Sequence, residues 1–363
     1  MENTDIASLP DISLYTYNKK SKDIFFLERI LHLFNHHYNK SIDFNRMMNS
    51  VGFDQKNICK LEDLPFIPVR LFKMFELTSV PKENVVKTMT SSGTTGQTVS
   101  KIFLDKQTAS LQTKILSRII SNFLGSSRLP MIIIDCESTV KNRNHFSARS
   151  AGITGFSLFA SKKIFALNDD MSLNEEGVKQ FLEENHTKKV FLFGFTFIVY
   201  QHFYKELLKL PIKIDLTNSV LIHGGGWKKL ISESVDNRTF KSQLNSVCGI
   251  NNIHDYYGMV EQTGTIYMEC EEGYLHTSEY SDIIIRNPKN FSVCNFGEEG
   301  IIQLLSLIPI SYPGHSILTE DLGVILGEDD CRCGRKGKYF KINGRLKNAE
   351  VRGCSDTYGE NFR

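Results

Sequence analysis

Apolar side chains between residues 22 and 39 recur at helical spacing, as Ile24, Phe25, Leu27, Ile30, Leu31, Leu33 and Phe34, with Glu28 and Arg29 between them. That period predicts a packing helix. Residues 62–75, with Pro65, Pro68 and several Phe, predict an irregular packed segment. Lys101-Ile102-Phe103-Leu104 reads as a short strand, and residues 107–124 as an amphipathic helix ending at Gly125. Three short apolar runs follow, Met131 to Asp135, Val190 to Gly194 and Val220 to His223, separated by helical patterns over 173–184 and 197–209. Buried strands alternating with helices predict an α/β fold with an at least partly parallel sheet. Beyond residue 270 the texture changes to Asp282 to Arg286, Gly300 to Leu305 and Gly323 to Leu326, short β runs between polar turns. These predict a smaller antiparallel sub-domain. No internal repeat or low-complexity linker is visible.

Two glycine loops stand out against this pattern. Met89-Thr90-Ser91-Ser92-Gly93-Thr94-Thr95-Gly96 combines hydroxyl donors with a backbone free to turn tightly, which suits an anion such as a nucleotide phosphate. It is not a Walker A loop, because Gln97 stands where that motif needs lysine. The second loop, His223-Gly224-Gly225-Gly226-Trp227, ends the third apolar run. In such sheets ligands lie at the carboxyl ends of the strands.

Composition narrows the class. The chain has 363 residues, 41% hydrophobic and 23% charged, enough for a substantial core and two or three sub-domains. No apolar stretch is long enough for a membrane span, the polar start Met1-Glu2-Asn3-Thr4-Asp5 carries no secretory signal, and a cytoplasmic location is expected. A formal charge of +2 gives no reason to expect nucleic acid. Eight irregularly spaced cysteines point to reduced thiols, metal ligands or a reactive thiol, not to a disulfide framework. His32, His36 and His37 lack companions at ligand spacing and are expected at the surface or core edge.

The order of motifs is more specific. Ser92-Gly93-Thr94-Thr95-Gly96, Gly224-Gly225-Gly226, Asp255-Tyr256-Tyr257-Gly258-Met259-Val260-Glu261, Thr319-Glu320-Asp321-Leu322-Gly323 and Gly344-Arg345 together resemble the adenylate-forming acyl- and aryl-acid ligases. Cys331-Arg332-Cys333-Gly334-Arg335 is similar to their phenylacetate–CoA ligase branch. Gly344-Arg345 followed by Val351-Arg352-Gly353-Cys354-Ser355 resembles most closely the LuxE-type acyl-protein synthetases.

The resemblance implies the fold of an adenylate-forming large domain over 1–343, with a β sub-domain at 270–343, the mobile C-terminal domain truncated and a short tail at 344–363. It also implies a reaction: a carboxylate attacks the α-phosphate of ATP, giving acyl-AMP and pyrophosphate, and the acyl group passes to a thiol. Ser91, Ser92, Thr94 and Thr95 would hold the leaving phosphates; Gly224 to Gly226 would lie against adenine, Tyr256 or Tyr257 would stack on it, and Asp255 would accept from its amino group. Glu261 matches the magnesium-binding glutamate, Asp321 the ribose-binding aspartate, and Arg345 the arginine near the α-phosphate. Cys354 matches the acyl acceptor of the LuxE type, with Arg352 beside it to lower the thiol pKa. The resemblance further implies a fatty acid substrate, an acyl reductase as partner and self-association.

Three departures accompany the match. Thr98-Val99 replaces the family's Pro-Lys, leaving Lys101 or Lys87 as substitutes; Val260 replaces the threonine before Glu261; and the lysine of the absent domain leaves Lys228 or Lys347 as candidate cations. Cys270, His276, Cys331 and Cys333 make a Cys3His set, either a closed structural zinc site or reduced structural cysteines. Phe195, Phe197 and Tyr200 either line an apolar pocket or pack the core. A CoA-acylating ligase and a non-catalytic nucleotide-binding homologue are the competing functions.

Overall fold

Residues 6–91, 98–141, 148–227 and 233–346 are described by the structure, a computed structural model. They fall into two units, the first built from 6–91, 98–120 and 258–346 and the second from Ser121–Tyr257. Strands are β1 (Ile67–Pro68), β2 (Val85–Thr90), β3 (Lys101–Asp105), β4 (Leu129–Cys136), β5 (Ala160–Leu167), β6 (Val190–Phe195) and β7 (Ser219–Gly224). They continue as β8 (Asn252–Tyr257), β9 (Tyr267–Glu269), β10 (Leu275–His276), β11 (Ser281–Arg286), β12 (Gly300–Ser306), β13 (Ser316–Glu328) and β14 (Lys338–Arg345).

The second unit is the α/β layer that the apolar runs predict. Its strands lie in the order β5-β4-β6-β7-β8, every pair parallel. All six residues of β6 and of β7 are buried, so these strands read as unbroken apolar runs. Helix starts are set by side-chain caps: Asn174 accepts from the Gly177 N–H at 3.2 Å, and Asp236 from the Thr239 N–H at 2.7 Å. The helical pattern over 197–209 forms as Thr196–Ile198, a wider π-turn at Val199–Tyr204, and Lys205–Leu207. Phe195 and Tyr200 are buried there, the first at 3% exposure, so they pack the core.

In the first unit, β11-β12-β13-β14-β10-β9 run antiparallel, and β1 adds to β13 in parallel. The hairpin β2–β3 stands apart as its own ribbon. Phe34, Phe44, Phe72, Ile102, Leu104, Tyr312 and Ile317 share one core, which binds the hairpin and the helices to the antiparallel strands. The helix Lys19–Lys40, capped by Asn18, buries Lys22, Phe26, Ile30, Leu33, Phe34 and His37. The expected apolar face therefore rotates, and Ile24 is left exposed. Lys22 is tolerated inside because it donates to Thr277 Oγ1 at 2.8 Å and lies 3.5 Å from Asp282, whose other oxygen takes Lys338 at 2.9 Å.

His37 corrects the surface or core-edge expectation. It is fully buried, stacked on His315 with ring centroids 4.9 Å apart, and bonded to Ser79 Oγ and the Pro309 carbonyl. Burial holds the His315 imidazole down at about 3, and that of His37 well below its ordinary range. The unfolded chain takes up protons near pH 6.5 where these folded rings do not, so stability is level above that pH and falls below it. The His315 ring costs about 2 kcal/mol by about pH 5, and His37 adds to the loss in the same direction. The thermal midpoint is expected to drop between about pH 7.5 and about pH 5 in proportion; a level midpoint over that window would count against buried neutral imidazoles.

Candidate active site

The hairpin β2–β3 presents the first loop. Its neck is closed by Ser91, whose N–H donates to the Ser100 carbonyl at 3.1 Å while its Oγ accepts from the Ser100 N–H at 2.9 Å. Ser92, Gly93, Thr94, Thr95 and Gly96 lie outside the described residues. Lys101, on β3 opposite Thr90, forms an ion pair with Glu76 at 3.6 Å, and Lys87 lies on β2 opposite Leu104.

In the second unit the carboxyl ends of β7 and β8 bring Gly224, Gly225, Gly226, Asp255 and Tyr256 together. Gly224 is required by close approach: a Cβ there would lie 2.6 Å from Tyr256 Cε1. Gly225 has φ +87°, and its Cβ would meet Phe195 at 2.7 Å. The Tyr256 ring is held by Phe156 at 5.3 Å and Phe193 at 6.4 Å. Asp255 Oδ1 accepts from the Tyr256 N–H at 2.8 Å, and Tyr257 closes β8. This is a flat aromatic and glycine surface with one carboxylate at its edge, suited to a nucleobase.

Gly258, Glu261, Asp321 and Arg345 belong to the first unit. Glu261 sits in a short 3-10 turn, Val260–Gln262, only 1% exposed and close enough to Tyr312 that its charge, added to burial, pushes the phenol above its ordinary range. Gln262 pins the turn by donating to the carbonyls of Leu304 and Gly314 at 3.1 and 2.9 Å. Val260, in the place of the expected threonine, packs against the hydrophobic core. Asp321 and Arg345 are directly opposite on β13 and β14, with Arg345 Nε donating to Asp321 Oδ1 at 2.8 Å. Beside them buried Glu320 is paired with Arg70.

The Cys3His set is assembled by β9, β10 and the turn before β14. The ligand atoms of Cys270, His276, Cys331 and Cys333 all lie within 4.8 Å of one another. Cys270 Sγ is 3.9 Å from Cys331 Sγ, and Cys333 Sγ is 3.4 Å from His276 Nε2. A tetrahedral zinc with ordinary bond lengths has S···S edges of about 3.8 Å and S···N edges of about 3.5 Å. The donor set and spacing fit that ion. Burial holds the imidazole of His276 down at about 4, so its lone pair is available at neutral pH. A strap from the N-terminal segment covers the cluster: the N–H groups of Tyr15, Thr16 and Tyr17 all donate to Glu279, at 2.7, 2.7 and 3.0 Å, and the Tyr15 ring meets His276 edge-on.

Cys354, Arg352, Lys228 and Lys347 lie outside the described residues. Three features escape the sequence patterns. Glu279 and its strap are more than 260 residues apart in the chain. The buried ion pair Asp135–Arg149, with Arg149 Nε 3.0 Å from Asp135 Oδ2, ends β4 with no motif to mark it. His223 was visible only as the residue before Gly224.

Among solved structures the fold is that of the adenylate-forming ligases. The chain is similar to 2-hydroxyisobutyryl-CoA ligase in its postadenylation state with 2-HIB-AMP, with TM-score 0.70 and 15% identity over 91% of this chain and 69% of that one. It is equally similar to an open conformation of that ligase with 2-HIB-AMP and CoA, with TM-score 0.71 and 16% identity over 92% and 77%. The chain belongs to the LuxE family of acyl-protein synthetases, whose description, "Acyl-protein synthetase, LuxE", matches residues 7–363. It is therefore a ligase that forms an acyl adenylate with ATP and joins the acyl group to protein. Relatives include the long-chain-fatty-acid–luciferin-component ligases of Aliivibrio fischeri, 25% identical over 333 residues (88% of this chain, 84% of that one), and of Vibrio harveyi, 20% over 338 residues (91% and 86%). No helix of the described residues is long and apolar enough to cross a membrane.

Proposed function

We propose that the chain activates a long-chain fatty acid and stores the acyl group as a thioester on Cys354. A carboxylate oxygen of the acid attacks the α-phosphorus of ATP, and pyrophosphate leaves with the electrons of the broken P–O bond. The Cys354 thiolate then attacks the acyl carbon; the C–S bond forms as the C–O bond to AMP breaks. Ser91, Ser92, Gly93, Thr94, Thr95 and Gly96 cradle the leaving phosphates. Gly224, Gly225 and Gly226 lie under adenine, with Tyr256 or Tyr257 stacked on it, Gly258 beside them and Asp255 accepting from the amino group. Asp321 takes the ribose and steers Arg345 to the α-phosphate, where its charge opposes that of the transition state.

Magnesium fits Glu261, whose carboxylate is the hard oxygen donor it requires; the ion, when bound, neutralises phosphate charge. Zinc on Cys270, His276, Cys331 and Cys333 is a closed staple that leaves no position for substrate. The segment after β14, with Cys354, would carry the thioester to an acyl reductase, in a self-associating cytoplasmic enzyme.

The observation that carries this reading is the family match, which extends to residue 363 and so takes in Cys354. The test is intact-protein mass after incubation with magnesium, ATP and a panel of fatty and aryl acids. An adduct that needs ATP, is released by hydroxylamine and is absent from Cys354→Ser is expected. Pyrophosphate release with no adduct would instead assign the acyl group to CoA or another soluble thiol.

A further inference from the structure

His223 lies immediately before the glycine loop and directly opposite Asp255 in the parallel register of β7 and β8. Facing residues on neighbouring strands project from the same side of a sheet, so the two side chains meet. The imidazole is 2% exposed, packed on Phe240 at 4.7 Å, and held neutral at ordinary pH because burial depresses its pKa to about 3. It therefore has one N–H to place.

Nδ1 is 2.9 Å from Thr196 Oγ1 and 3.7 Å from Asp255 Oδ1, whereas Nε2 is buried with no hydrogen-bond partner among the described residues. A hydrogen on Nε2 would be a buried donor without an acceptor, which costs more than a bare lone pair in the same place. The hydrogen belongs on Nδ1, where Thr196 Oγ1 lies at hydrogen-bond distance, 2.9 Å, and Asp255 Oδ1 is the next oxygen, 3.7 Å away. Asp255 thus accepts from the Tyr256 N–H and has the imidazole N–H 3.7 Å behind it, while 38% of its side chain is exposed.

We infer that His223 is a positioning residue for the nucleotide base: its Nδ1–H fixes the Asp255 carboxylate as an acceptor facing outward, selecting a purine with an exocyclic amino group over one with a carbonyl there. This rests on the proposed contact of Asp255 with adenine. The 3.7 Å separation is longer than a hydrogen bond, so the role of His223 requires it to shorten when a base is bound, as unliganded site contacts commonly do. Inosine triphosphate, which has a C6 carbonyl and an N1–H where ATP has an amino group and a bare N1, is the discriminating probe.

The experiment measures pyrophosphate release by the full chain with its acid substrate, using ATP and inosine triphosphate in turn. The variants are His223→Leu, His223→Asn, His223→Gln and Asp255→Ala. His223→Leu is expected to raise KM for ATP about tenfold and cut the ATP preference in kcat/KM by a similar factor, with kcat changing less. Asn carries its amide nitrogen near the Nδ1 position and restores the preference; Gln reaches toward the Nε2 position and does not. The Asn and Gln pair, both polar and similar in bulk, decides the matter even where Leu fails to fold. A lowered preference in Asp255→Ala with equal, wild-type preference in the Asn and Gln variants would overturn the role of His223 alone. An unchanged preference in Asp255→Ala would remove the adenine contact itself, and this inference with it.

Discussion

Gly224→Ala is expected to raise KM for ATP by about tenfold to a hundredfold while the protein stays folded, as read by pyrophosphate release and the thermal midpoint. The added methyl would stand 2.6 and 2.8 Å from Tyr256 Cε1 and Cδ1, and 2.9 Å from the Tyr256 carbonyl oxygen. A flexible side chain could swing aside; a backbone oxygen on a paired strand cannot. Nor has the ring much freedom, because Phe156 and Phe193 pack against it. The accommodation moves the tyrosine face itself, and base-on-aromatic stacking is worth about 1–3 kcal/mol, the source of the predicted range. Gly226→Ala is the control: among the described residues nothing lies within 4 Å of a Cβ there, so its cost is backbone strain at φ +63° without a displaced Tyr256 ring. Equal ATP dependence in Gly224→Ala and wild type would dissociate Tyr256 from the nucleotide.

Zinc removal is expected to lower the thermal midpoint by on the order of 10 °C without changing kcat per folded molecule. The ligand atoms are already gathered, so metal-free protein would retain three thiols and an imidazole crowded within 4.8 Å with no ion to hold them. Cys331→Ser should do the same as chelation, with about one zinc per chain in the wild type and less than a tenth of that in the variant by elemental analysis. Cys59→Ser, at an exposed thiol, should retain both metal and midpoint. Wild-type protein free of zinc and as stable as Cys331→Ser would return the cluster to ordinary reduced cysteines.

Legibility in the sequence followed burial. Strands β4, β6 and β7 are apolar along almost their whole length, and they stand out because both faces are covered. The pattern missed β8 and the early part of β13, and the reason is chemical: β8 contains His254, Asp255 and two tyrosines, and β13 contains Thr319, Glu320, Asp321 and Gly323. Strands that carry candidate site residues give up the alternation by which strands are recognised. The helix Lys19–Lys40 misled differently, since its buried stripe begins with Lys22 and ends with His37, polar groups whose partners come from elsewhere in the fold. The nucleotide motifs and the four metal-ligand candidates were legible because local spacing marks them. Glu279, Arg149 and His223 were not, because what they do depends on partners that only folding supplies.

Trp227 is the one tryptophan in 363 residues, and it directly follows Gly226 with its ring 4.8 Å from that of Tyr200. Tryptophan emission from this protein is therefore a single-site signal. A titration followed by that fluorescence observes the second glycine loop and nothing else, so occupancy there can be timed separately from the chemistry, without a label and before any acyl group has been transferred.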